Sequence, residues 1–100
     1  MGKKNITKNA KQIKTNLENE LMKAYEYEIL DKELAFEALD GSFVRLDILG
    51  DNIIIEWAEN KEEAKNNRFE DGDWFGIHEY NTGEILQAVF EILEEENKEE

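Results

Sequence analysis

Two turn sequences, Asp40-Gly41-Ser42 and Gly50-Asp51, punctuate residues 33–58, and around them apolar side chains alternate with polar ones. A period of two belongs to a strand with one buried face, so these residues predict an antiparallel meander. Its register follows from requiring every strand to send its apolar residues to the same side. A two-residue loop at Gly50-Asp51 sets Ile48 opposite Ile53, Leu46 opposite Ile55 and Val44 opposite Trp57. A three-residue loop at 40–42 sets Ala38 opposite Val44, Phe36 opposite Leu46 and Leu34 opposite Ile48. Together these place Phe36, Leu46, Ile55 and Trp57 in the core. They leave Glu37, Arg45 and Glu56 in a row on the solvent face, one guanidinium between two carboxylates. Cross-strand pairs of this kind contribute roughly 0.2–1 kcal/mol each. A competing reading makes 32–39, rich in Ala, Leu and Glu, a short helix stopped by Gly41.

Helical spacing flanks the meander. Ile6, Ala10, Ile13, Leu17, Leu21 and Ala24 draw one apolar stripe and predict a helix over 6–24, its end falling anywhere between Tyr25 and Leu30. Near the other end, Asn81 with Glu84 three residues on forms a capping box, and Ile85, Leu86, Val89, Phe90, Ile92 and Leu93 supply a wide apolar face. Between the meander and that helix, Asn60–Asn67 predicts a turn or short exposed helix, and Trp74–Tyr80 alternates as a fourth strand. The expected fold is α+β: an antiparallel sheet of three to four strands (33–58 plus 74–80) with an N-terminal and a C-terminal helix on one face. Residues 1–100 make one domain, with 1–5 and 94–100 expected to fray. Lysines at the start of the first helix and glutamates at the end of the last oppose the helix dipoles, so antiparallel packing of the two is expected to offset both defects. Without the strand at 74–80, the element order resembles that of double-stranded-RNA-binding domains. The likeness is one of topology, since those domains grip phosphates with lysines and this sheet and last helix are acidic.

Charge is the feature that points outward. Residues 1–15 hold five lysines and no acid, whereas residues 16–100 hold seven basic and 25 acidic residues, a balance of −18. Such a body repels phosphate and anionic lipid, so neither direct nucleic-acid binding nor a membrane partner is expected. No apolar run approaches 18 residues, and no apolar stretch follows the basic start as a secretory signal requires.

Residue types exclude much chemistry. Without cysteine there is no disulfide, thiolate zinc site or thiol nucleophile. His78 is the one histidine and Ser42 the one serine, and Ser42 falls in a hairpin turn with no base nearby. His78-Glu79 begins like a zinc-protease motif, but Thr82 stands where its second histidine belongs. Glu37 and Glu56, flanking Arg45, are expected to be ionised, the wrong state for a general acid. The densest carboxylate group outside the tail, Glu70, Asp71, Asp73 and Glu79, fits no calcium-loop spacing. Neither catalytic residue, cofactor nor metal is therefore expected. Trp74, among these acids, suits a protein interface if exposed, the alternative being partial burial under the last helix.

The expected function is that of a small cytoplasmic, non-enzymatic binding or inhibitor protein whose carboxylates occupy the basic cleft of a nucleic-acid-handling partner. In kind it resembles small phage-encoded antagonists of restriction or CRISPR systems and bacterial immunity proteins. The expected contacts are Glu70, Asp71, Asp73, Trp74 and Glu79, with Glu91, Glu94 and Glu95 of the last helix as outliers. The alternative is an accessory subunit that docks through the apolar stripe of its N-terminal helix.

Overall fold

A computed structural model describes residues 9–94. Eight elements follow in order: α1 (Ala10–Ala24), β1 (Tyr27–Leu30), β2 (Glu33–Glu37), β3 (Phe43–Leu49), β4 (Asn52–Ala58), α2 (Lys61–Lys65), β5 (Glu70–Gly76) and α3 (Thr82–Leu93). The class is α+β, and the strands form one antiparallel sheet of five in the order β1-β2-β3-β4-β5. Residues 32–39 are not helical. Each strand pairs with the next in sequence, so every connection is local.

The two extra features of the sheet lie at its edges. β1 was concealed in the expected tail of the first helix, which instead ends at Ala24 with Tyr25 as an extended C-cap. Its turn to β2 is Asp31-Lys32, with both residues left-handed at φ 53° and 70°. Leu30 faces Glu33 across it. A two-residue hairpin loop of this twist usually carries glycine, and here it does not. The fifth strand spans 70–76 rather than 74–80, and Ile77–Tyr80 turn towards α3. His78 is therefore in a turn, 3.2 Å from Asp51.

The β3–β4 register is as the alternation requires, from Val44 opposite Trp57 to Leu49 opposite Asn52. The β2–β3 register is displaced. Phe36 faces Val44 and Glu37 faces Phe43, so the loop is Leu39-Asp40-Gly41, closed by the Ala38 N–H donating to the Ser42 carbonyl at 2.8 Å. Gly41 sits at φ 93°. A three-residue hairpin needs its left-handed residue at the third loop position, which puts glycine there and not in the middle. The displacement is even, so every side chain keeps its face.

The helices divide between the two faces. Ile13, Leu17 and Leu21 of α1 and Ile85, Val89 and Leu93 of α3 join Phe36, Val44, Leu46, Ile53 and Ile55 in the main apolar cluster. Asn9, not Ile6, marks the start of α1: its backbone is extended and its side chain accepts from the Gln12 N–H at 3.2 Å. Ile6, with 1–5 and 95–100 of the ends expected to fray, lies outside the described residues, whereas Glu94, the first residue of the tail expected to fray, is the C-cap of α3. The capping box of α3 forms as expected, with Glu84 N–H donating to Asn81 at 2.8 Å and Asn81 N–H to Glu84 at 2.9 Å. The two long helices do not offset each other's dipoles. Their C-caps meet instead, the Tyr25 phenol donating to the Glu94 carboxylate and its ring lying 5.8 Å from Phe90. The opposite face of the sheet carries a second, smaller cluster, in which Ala35, Phe43 and Ala58 pack with Ala64 of α2, Leu30 and Phe69.

Candidate functional site

That second cluster changes the meaning of the Arg45 row. Arg45 donates through Nε to Glu56 at 2.6 Å and through Nη1 to Asn67 at 2.8 Å, and its guanidinium stacks on Phe69 at 4.0 Å. Glu37 is not a partner, because the displaced register sets it against Phe43. Nor is this a solvent face: α2 and its following residues cover it, and Glu56 is buried. Burial holds the Glu56 carboxyl above its usual range, Arg45 opposes that rise, and Asp47 and Asp71 add to it. A carboxylate committed to a guanidinium in this way ties the meander to the 66–69 segment and is structural.

The candidate contacts scatter over three places. Glu70, Asp71, Asp73 and Trp74 all lie on β5, an edge strand, and all are exposed. Pairing sends them to different faces: Trp74 lies opposite Ile54 and Asp71 opposite Glu56, on the α2 side, while Glu70 lies opposite Trp57. Glu79 is in the turn after β5, beside Gly76. Glu91 is exposed on α3, Glu94 is its C-cap, bound to Tyr25, and Glu95 is outside the described residues. Tyr25 answers that contact: its phenol is pushed up to about 12 by burial and by the carboxylate.

A cleft at the β4–β5 edge is a feature the alternation did not reveal. Two residues of β5, Gly72 and Asp73, span the place of one, Ile55, between the pairs Ile54–Trp74 and Glu56–Asp71. This β-bulge needs glycine: a Cβ at Gly72 would stand 2.8 Å from the Ile55 carbonyl oxygen and 3.5 Å from Trp57 Cδ1. The bulge turns Asp73 towards the helix side of the sheet. There, a cleft of about 370 Å³ is lined by Ile55, Trp57, Glu59, Asp40, Ser42, Gly72, Asp73 and Ile92. Its far wall is the β2–β3 turn. Asp40 braces that turn by accepting from the Ser42 N–H at 2.9 Å and hydroxyl at 2.6 Å. The Leu39 N–H ties it to the last turn of α3, through the Leu93 carbonyl at 2.8 Å.

Trp57 is the residue whose role changes most. It lies on the apolar side, as expected, but is 38% exposed rather than buried in the core. Its indole forms part of the cleft lining, with Asp40, Glu59 and Asp73 around it. Trp74, on the other side of the sheet, is 47% exposed. Among the described residues, no group of three or more His, Asp or Glu side chains is placed to hold a metal ion. No helix among them is long and apolar enough to cross a membrane. No family model matches the chain, and neither a curated protein nor a solved structure matches it.

Proposed function

We propose that this chain is a cytoplasmic, non-enzymatic binding protein that occupies a basic, nucleic-acid-binding surface of a partner protein, as anti-defence inhibitors and immunity proteins do. The observation that carries this reading is β5. An edge strand with Glu70, Asp71, Asp73 and Trp74 all exposed presents carboxylates on both sides of the sheet beside an exposed aromatic side chain. The rest of the body adds to the field, with a balance of −18 over residues 16–100. Opposite long-range fields speed the encounter, and a sheet already folded presents its charges without an ordering cost. The same field disfavours phosphate and anionic lipid as direct partners.

The alternative, docking through the stripe of α1, finds less support. Ile13, Leu17 and Leu21 are buried in the chain's own core, Leu17 and Leu21 completely, so that stripe is already covered.

The test is competition. The protein, captured with its partner from lysate, is expected to displace DNA or RNA from that partner at low salt, and added salt is expected to weaken the displacement steeply. A partner that holds this protein and nucleic acid at the same time would overturn the reading.

A further inference from the structure

The cleft beside Trp57 has a composition that selects its occupant. We propose that it receives an arginine side chain of the partner, and that this contact, rather than Trp74, anchors the complex. The inference rests on the reading of a basic partner and names the group that such a partner inserts.

Three features of the cleft argue for this occupant. Its volume of about 370 Å³ suits one long side chain with part of its backbone and lies low in the range for small-molecule pockets, roughly 300–1,000 Å³. Its lining joins apolar surface from Ile55, Ile92 and the Trp57 indole to the carboxylates of Asp40, Glu59 and Asp73, with no lysine or arginine among the described residues that line it. An arginine matches both halves: its methylenes cover the aliphatic surface, and its planar guanidinium stacks on indole while donating to carboxylates in a fork. A lysine offers a compact, more strongly hydrated charge with no plane to stack, and an uncharged apolar side chain leaves the three acids without a complement. The chain already shows this recognition once. On the other face Arg45 stacks on Phe69 while donating to Glu56 and Asn67.

The walls are also pre-formed. The bulge at Gly72-Asp73 is fixed by the approach of Gly72 to the Ile55 carbonyl, and the opposite wall is held by the Asp40–Ser42 and Leu39–Leu93 hydrogen bonds. A site held in this way binds without first ordering its own loops.

Tetra-arginine peptide tests the inference without knowledge of the partner. Its binding is followed at physiological salt by the backbone and indole N–H resonances of the full chain, beside tetra-citrulline (the neutral isostere) and tetra-lysine. The expected result is a shift of the Trp57 indole and of residues 40–42 and 72–73, with tetra-arginine binding at least tenfold tighter than tetra-citrulline and severalfold tighter than tetra-lysine. The double variant Glu59→Gln with Asp73→Asn is expected to weaken tetra-arginine binding at least tenfold. Glu26→Gln with Glu62→Gln removes the same charge elsewhere and is expected to change it less than twofold. Trp57→Phe, which keeps a ring, is expected to give an intermediate loss, and an unchanged spectrum elsewhere shows that it folds. Equal losses from both double variants, shifts centred on Trp74, or citrulline binding as well as arginine would each overturn the inference while leaving the basic-partner reading intact. Conversely, a partner that binds through the cleft yet retains its nucleic acid would overturn that reading and leave this one standing.

Discussion

Arg45 and Glu56 lie directly opposite each other on β3 and β4 and are joined at 2.6 Å beneath the segment that follows α2. Removing one partner of a covered ion pair leaves the other desolvated and unpaired, which costs far more than breaking an exposed pair. Arg45→Met is expected to destabilise the fold by about 2–3 kcal/mol, measured by urea unfolding near neutral pH. The pH dependence follows from the raised carboxyl. Because the folded group holds its proton above the usual 4.5, its contribution to stability is full below that value and is lost as pH rises through the folded pKa. Arg45→Met removes the charge that opposes the rise, so the loss extends to higher pH. Glu56→Gln is expected to remove this part of the slope.

Asp31-Lys32 carries a conformational cost. Both residues adopt left-handed φ without being glycine. Lys32→Gly is expected to stabilise the protein by up to about 1 kcal/mol, the relief at the turn exceeding the added freedom of the unfolded chain. Lys32→Val, branched at Cβ, is expected to act in the opposite direction. Thermal unfolding of the three proteins checks the order.

Gly72→Ala is expected to destabilise by about 1–3 kcal/mol, since the new methyl meets a backbone carbonyl that cannot swing aside as a side chain would. The damage should be local first. Amide exchange is expected to accelerate in β5 and at its partners in β4 before it does in β2 or β3.

The contact between the helix C-caps gives a spectroscopic signature. Tyr25 is expected to ionise late, near pH 12, in an absorbance titration, and Tyr25→Phe is expected to remove that late phase. The sign is that of an acid whose folded pKa is raised. The contact's share of stability is present below about pH 10, the usual phenol value, and disappears as pH climbs through the folded one.

The legible parts of this fold share one property: chain chemistry and packing agree within a few residues. Gly50-Asp51 names a two-residue loop, and alternation on both sides confirms it, so the β3–β4 register is legible to the residue. Asn81 and Glu84 announced α3 in the same way. β1 was hidden because four residues, Tyr27–Leu30, follow a helix and end in a turn lacking glycine. β5 was displaced because its bulge interrupts the period of two that would have marked it, and its first four residues contain no apolar side chain. Arg45 falls, as the alternation requires, on the face opposite Leu46 and Ile55, but that face is not the expected solvent face: residues 61–69 cover it, and their Ala64 and Phe69 give no periodic signal. The acids of β5 were visible as a cluster. The cleft was not, because Asp40, Trp57, Asp73 and Ile92 come from a turn, two strands and a helix, and only the folded chain brings them together.

The sheet is open at both edges, and open edges invite a neighbour's strand. At one end, β1 offers only four residues. At the other, the bulge of β5 breaks the ladder that a seventh-residue-long partner would need, and its carboxylates would face their own copies across any symmetric pairing. The acidity proposed to draw a basic partner would also set identical molecules apart, opposing the edge-to-edge pairing that a flat, neutral strand invites. Erasing the β5 charges to weaken a complex therefore removes a barrier to self-assembly as well.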